Sequence, residues 1–273
     1  MQEAQFTEGF DYAERNLLSD DSHLWLDKKL IQQYLSLDGL RVLDFGCGMG
    51  GMTIWIAQQF DCHIEGYDID KNHIEIATAL QAKHGPHDKR LSFHLQNILE
   101  EPPEGKFDVI FMNDVAEHIA FPVLMAILEK LKGCLADDGI LFVSFPPWES
   151  PWAAHLSPWV KIPWSQYLPK KYLMKLIEKH NRTLVGRHDL KNEYLELNHL
   201  TYNKLLALTS RAGFKEQLRH SHCKLNKLPG LSGVNFSVGP FKYLVTKELV
   251  IFTKQNSTAA AEMVKNKRLA AAG

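Results

Sequence analysis

The chain has 273 residues, 45% hydrophobic, 10% aromatic and 23% charged, with a formal net charge of −1. These values sit near the averages of folded globular proteins and exclude collagen, coiled coil and disorder; no run of about 18 apolar residues marks a spanning helix. The near-zero charge hides a division, because residues 1–150 carry 11 Lys/Arg against 25 Asp/Glu (−14) and residues 151–273 carry 20 against 7 (+13). Such asymmetry predicts two surfaces that meet different partners or each other. The four cysteines, Cys47, Cys62, Cys134 and Cys223, follow no metal-ligand spacing, so neither a zinc site nor a disulfide scaffold is expected. The acidic, polar N-terminus lacks the order of a secretory signal, and a reducing, cytoplasmic setting is the expectation.

Along the chain, residues 10–37 read as one or two amphipathic helices stopped by Asp38-Gly39. A strand over Arg41–Phe45 runs into the glycines Gly46, Gly48, Gly50 and Gly51, and a helix follows over Met52–Phe60. Strand His63–Tyr67 ends at Asp68 and precedes a helix over Asn72–Lys83. Leu91–Leu95 and Asp108–Met112 are further strands, the second fully apolar as in strands buried on both faces. Helix Phe121–Leu135 and strand Gly139–Phe145 complete the alternation. Strands alternating with helices predict a doubly wound α/β fold.

After Phe145 the rhythm breaks. Four of the six tryptophans, Trp148, Trp152, Trp159 and Trp164, fall among prolines on a segment unsuited to long regular structure. Helices are expected over Lys170–His180 and Thr201–Ala212, then strands over Lys215–Lys224 and Tyr243–Phe252. The chain thus divides into a helical cap (1–37), a nucleotide-binding core (38–145), an insertion or lid (146–200), the completion of the core (201–254) and a tail (255–273).

Asp44-x-Gly46-x-Gly48-x-Gly50 closes one strand, and Asp68 closes the next. Glycines there allow a sharp turn and a ligand pressed against the main chain, and a second-strand acid suits a ribose diol. Gly46-x-Gly48-x-x-Gly51 also satisfies the dinucleotide fingerprint, so NAD competes. The Asp44 carboxylate beside the phosphate seat disfavours a diphosphate and favours a ligand with a sulfonium and an ammonium.

On these residues the sequence resembles class I S-adenosylmethionine-dependent methyltransferases, across roughly residues 38–147. Val42 to Gly50 resembles that family's first motif, with Cys47 inside the loop, and Glu65 to Asp70 its second. The resemblance implies Asp68 on the ribose, with Ile69 beside it. Gln96-Asn97-Ile98 falls where the family has an acid and an apolar residue on the adenine. Here Asn97 replaces the acid but can still accept from an amino group. Phe107 to His118 resembles the fourth-strand motif, which places Asn113 near the methionine end, and Gly139 to Val143 the fifth. The implied fold is a seven-stranded, mostly parallel sheet of order 3-2-1-4-5-7-6, and the implied cofactor is S-adenosyl-L-methionine, released as S-adenosyl-L-homocysteine.

Methyl transfer needs in-line alignment, and an oxygen acceptor also needs a base. His118 and His155 are the candidate bases; a structural role is the alternative for each, and His199 reads as a helix-start residue. Asp114 and Glu117 read as caps of the following turn, or as acceptor contacts. The tryptophans pack a lid or line an apolar acceptor site. Eight Lys/Arg between Lys161 and Lys191 face only Glu178 and Asp189, which suits a solvated face, an anionic acceptor or a peripheral membrane contact through 148–191. The expected activity is methylation of a hydrophobic or anionic small molecule, through oxygen. An RNA or DNA methyltransferase and a non-catalytic binding protein are the competing readings.

Overall fold

The computed structural model describes residues 3–19, 24–86, 89–157, 159–182, 189–227, 230–231, 236 and 239–257. Most of the expected tail lies outside them.

The chain enters through α1 (Glu3–Leu18), which starts earlier than its periodicity suggested, and α2 (Trp25–Tyr34). In α1 the buried residues Gly9, Ala13, Asn16 and Leu17 recur at helical spacing and form one inward stripe. Then β1 (Arg41–Phe45), α3 (Gly51–Gln59), β2 (His63–Asp68), α4 (Lys71–His84) and β3 (Leu91–Leu95) alternate as expected. Asp70 starts α4 by accepting from the Asn72 and His73 amides. Next come β4 (Phe107–Asn113), α5 (Phe121–Cys134) and β5 (Leu135–Phe145). The fifth strand begins four residues earlier than expected, because Leu135 pairs with Phe107 before a register irregularity.

The sheet has the order β3-β2-β1-β4-β5-β7-β6, with β6 (Phe214–Cys223) and β7 (Val245–Lys254) closing it as antiparallel strands. Alternate side chains of the central strands feed two cores. Val42, Val109, Phe111, Ile140 and Phe142 pack under α1–α4, while Leu43, Ile110, Met112, Leu141 and Val143 pack on the opposite face.

Between β5 and β6 lie α6 (Lys170–His180), α7 (Leu190–Glu196) and α8 (Tyr202–Arg211). The insertion has its own small core of Ala154, Leu156, Val160, Leu173, Ile177 and Leu190. Three hydrogen bonds tie its end to the turn after β4: the Asn198 amide nitrogen donates to the Ala116 and Ile119 carbonyls, at 2.7 and 2.6 Å, and its backbone amide to the Glu117 carbonyl. The insertion therefore closes back over the C-terminal ends of β4 and β5, where open α/β sheets bind ligands.

Candidate active site

The β1–α3 turn carries the geometry its glycines imply. Gly48 (φ +53°) has open space where a Cβ would point. Gly50 (φ +80°) is pressed so close that a Cβ would sit 2.7 Å from the Phe93 ring and 2.8 Å from the Ala77 Cβ. The first position leaves room for a ligand against the main chain, and the second lets helix and sheet meet. The Gly46 and Cys47 amides both donate to the Tyr67 carbonyl, which stitches the turn to β2. Burial pushes the Cys47 thiol well above its ordinary pKa, so it is a neutral packing group.

This turn lines a cavity of about 710 Å³, counting the part open to solvent, with Asp44, Met49, Met52, His73, Asn113 and Asp114. Its remaining wall was missed by sequence reasoning: Tyr12, Ala13 and Asn16 of α1, with Leu24.

The carboxyls among the described lining residues are Asp44 and Asp114; Asp68, Ile69, Asn97 and Ile98 lie outside that lining. Burial pushes Asp44 up to about 6, against a 2.6 Å bond from the Thr53 hydroxyl and with a further push from Asp68. Burial would also raise Asp68, but His73, 3.6 Å away, and bonds of 2.8 and 2.9 Å from the Asp70 and Gly48 amides hold it below the ordinary carboxylate value. No Lys or Arg appears among the described lining residues, so among them a diphosphate finds no lysine or arginine partner while an ammonium finds Asp44. Ile69, beyond Asp68, is 76% exposed, whereas Ile98 is buried. Asn97 is engaged in its own turn, accepting from the Leu99 amide and donating to Glu100. One lone pair of its carbonyl remains for an adenine amino group.

Asn113 is fixed from behind. The Ser144 hydroxyl lies 3.1 Å from Asn113 Oδ1 and 2.8 Å from Asp27 Oδ1. Lys247 of β7 bridges Asp27 at 2.5 Å and Asp114 at 2.7 Å. Burial disfavours the Lys247 charge, yet the two carboxylates hold its pKa above the ordinary value. Asp114 is therefore no cap; it sits at φ +52°, a conformation rare outside glycine, held there by Lys247. With Oδ1 on Ser144, the Asn113 Nδ2 has no protein acceptor among the described residues and is available to a carboxylate in the cavity. Asp27 and Lys247 left one trace in the sequence, a charge set inside an apolar stripe (Leu26, Leu30, Ile31) and another opening an apolar strand.

The two candidate bases meet. The His118 and His155 rings lie 5.0 Å apart, although 37 positions separate them in sequence. His155 Nδ1 is 3.3 Å from Oε1 of Glu193 on α7, a buried carboxylate that sequence reasoning did not single out. Because the carboxylate only accepts, Nδ1 carries the proton and Nε2 is free to take another. His118 Nε2 lies 3.9 Å from Glu193 and 4.0 Å from Glu117, also buried. Glu117, His118 and His155 present ligand atoms within 4.8 Å of one another, a convergence that the linear spacing hid.

The tryptophans have separate neighbours. Trp148 stacks on His199 at 3.9 Å, and His199 (φ +58°) precedes α8, whose cap is Thr201, rather than starting it. Trp159 packs on the insertion core beneath Arg182. Trp164 donates to the Tyr243 carbonyl, and Trp152 is 37% exposed.

The methyltransferase-domain family matches residues 17–198, well over half of the chain. The chain belongs to that family. Among curated relatives, the sphingolipid C9-methyltransferase of Candida albicans is 28% identical over 118 residues, covering 42% of this chain and 23% of the relative. The mitochondrial ubiquinone biosynthesis O-methyltransferase of Candida albicans is 30% identical over 131 residues (48% and 38%), and the phosphoethanolamine N-methyltransferase of Plasmodium falciparum 26% over 118 (43% of each). This chain thus spans less than half the length of these relatives. Among solved structures, geranyl diphosphate methyltransferase with bound S-adenosylmethionine superposes with a TM-score of 0.56 at 16% identity, covering 84% of each chain. The fold is that of class I S-adenosylmethionine-dependent methyltransferases, and the family's cofactor is S-adenosylmethionine. The cavity fits that molecule in its carboxylate beside the ammonium seat, its unpartnered amide donor and its open glycine cradle.

Proposed function

We propose that this chain transfers a methyl group from S-adenosylmethionine to an oxygen of a small hydrophobic or anionic molecule. The observation that carries the reading is an acid-lined cavity that reaches Asn113 and Asp114 at the end of β4, with His118, on the turn that follows, meeting the carboxylate-oriented His155. When bound, the cofactor supplies a methyl group on a positively charged sulfur that leaves as a neutral thioether. Asp44 would face the ammonium, Asn113 Nδ2 would donate to the carboxylate, and the backbone of Gly46, Cys47 and Gly48 would cradle the chain between, with Gly50 letting the turn close. Asp68 would accept from the ribose hydroxyls, and Ile69, Ile98 and Asn97 would meet the adenine. The fixed turn and the Lys247 network hold these groups still, and alignment is the main contribution a protein makes to such a displacement.

His155 takes the acceptor's proton at Nε2 with Glu193 steadying the imidazolium, and His118 supports it from the β4 side. Trp152 and Trp148 meet the apolar part of the acceptor; Trp159 and Trp164 hold the insertion in place. The relatives act, by their names, at carbon, nitrogen and oxygen, and His155 supports oxygen because a hydroxyl must lose its proton. Four free, buried cysteines support a cytoplasmic setting.

Calorimetry with S-adenosylhomocysteine and NAD tests the cofactor half: binding of the first alone is expected, and NAD preference overturns it. Radiolabel transfer into lipid and small-molecule fractions tests the acceptor half. Label in RNA, or in no fraction, overturns it.

A further inference from the structure

No helix among the described residues is long and apolar enough to cross a membrane, yet the insertion presents a surface that water alone does not explain. Ile162, Tyr167 and Tyr172 are between 41% and 63% exposed, and Phe241 and Tyr243, from the 3-10 turn before β7, are 50% and 40% exposed. The two segments are one surface: Trp164 Nε1 donates to the Tyr243 carbonyl at 3.1 Å, and the Tyr167 and Tyr243 rings meet at 6.4 Å. Sequence reading reached only the first segment. The same stretch of the insertion carries the exposed Lys161, Lys170, Lys171, Lys175 and Lys179. Two acids stand near them, each beside a cation: Glu178 lies 3.7 Å from Lys191, and Glu149, which acts on Tyr167, lies 3.4 Å from Lys242.

We propose that this face, residues 161–179 with 239–243, docks the protein onto an anionic lipid bilayer. Phenol rings flanked by ammonium groups match the headgroup region, where an amphipathic ring sits between water and acyl chains and lysine reaches the phosphates. The aliphatic Ile162 stacks on no base and pairs with no phosphate, which turns the choice toward lipid. α6 does not lie in the membrane by its apolar stripe, because Leu173 and Ile177 of that stripe are buried in the insertion's own core. Attachment therefore comes from a few rings and a field of charge, so it is shallow, reversible and weakened by salt. The same insertion carries His155, so docking presents the proposed acceptor side to the bilayer; that link rests on the methyltransferase reading, while the docking itself does not.

Co-sedimentation of the full chain with vesicles tests it. Vesicles of phosphatidylcholine with about 30% phosphatidylglycerol are expected to bind roughly tenfold more protein than phosphatidylcholine alone, and high salt to remove most of the difference. The triple variant Lys170→Glu/Lys171→Glu/Lys175→Glu should fall to the phosphatidylcholine level, and Tyr172→Ser/Phe241→Ser should lose several-fold. S-adenosylhomocysteine affinity, measured alongside, should stay unchanged in both variants, which separates a lost surface from a lost fold. Equal binding to the two vesicles, full binding by the charge-reversed chain, or binding to RNA with none to vesicles overturns the proposal. Anionic-vesicle binding by a chain that ignores S-adenosylhomocysteine keeps the docking and sinks only the methyltransferase reading.

Discussion

The cofactor cavity and the histidine cluster lie at the same edge of the sheet but are built in opposite ways. Asp44, Gly48, Gly50 and Asp68 fall within 25 positions of one another on two successive strand ends, so each turn places its own functional group. His118, His155 and Glu193 come from a turn, an irregular loop and a short helix, and meet only because the insertion folds back onto β4. A site made of sequence neighbours is fixed by the fold that every member of such a family shares. A site made of distant segments can change with the insertion while the first stays as it is, which fits relatives named for carbon, nitrogen and oxygen methylation.

Breaking each half in turn should give different signatures. The largest effect is expected from His155→Ala, with kcat falling about 10²–10⁴-fold while S-adenosylhomocysteine affinity holds; a fall in affinity instead would show that the two halves are not separable. Lys247→Met leaves Asp27 and Asp114 facing each other without their shared cation and should cost about 3–5 kcal/mol of stability by denaturant melts. It should also loosen the cofactor, through Asn113.

A pH measurement sharpens the contrast from the cofactor side. The Asp44 carboxyl is raised from 3.8 to about 6 in the fold. The folded state therefore binds that proton more tightly than the unfolded chain, and the stability this confers below pH 3.8 is lost as pH rises through about 6. A rise of about two units corresponds to roughly 3 kcal/mol at about 1.4 kcal/mol per unit. The ligand ammonium offsets that cost, so the melting-temperature gain from S-adenosylhomocysteine should be larger at pH 7.5 than at pH 5.5. Asp44→Asn should raise the melting temperature of the ligand-free protein at neutral pH while weakening ligand binding. The smallest effect separates two uses of the histidine cluster: if His155 is a base, exhaustive chelation should change kcat by less than about twofold. Loss of activity restored by a divalent cation would make Glu117, His118 and His155 ligands instead.

The strand–helix alternation and the turn after β1 were legible for a physical reason, whereas the sheet order came from the family resemblance. Glycines forced into left-handed turns and acids at strand ends act locally, so Gly48 and Asp68 can be read without knowing what packs on them. Asn113 could be placed at a strand end, but not its orientation, which depends on Ser144 and on Asp27 in α2. Glu193 sits on a helix that no periodicity announced, since α7 is seven residues long and only Leu190 and Glu193 in it are buried. Tyr12, Ala13 and Asn16 were legible as one face of a helix but not as a wall, because what a helical face covers is decided by tertiary packing.

One contact joins two distant stretches of the chain: Asp27 and Lys247 are 220 positions apart and 2.5 Å from each other. During synthesis the glycine turn and its two acids leave the ribosome early, whereas the lysine that sets the rear of the pocket emerges with the final strand. A nascent chain lacking β7 has every recognisable motif and still lacks the brace behind its amide donor. Competence to hold the ligand thus arrives late, which makes cofactor capture a report on the docking of β7.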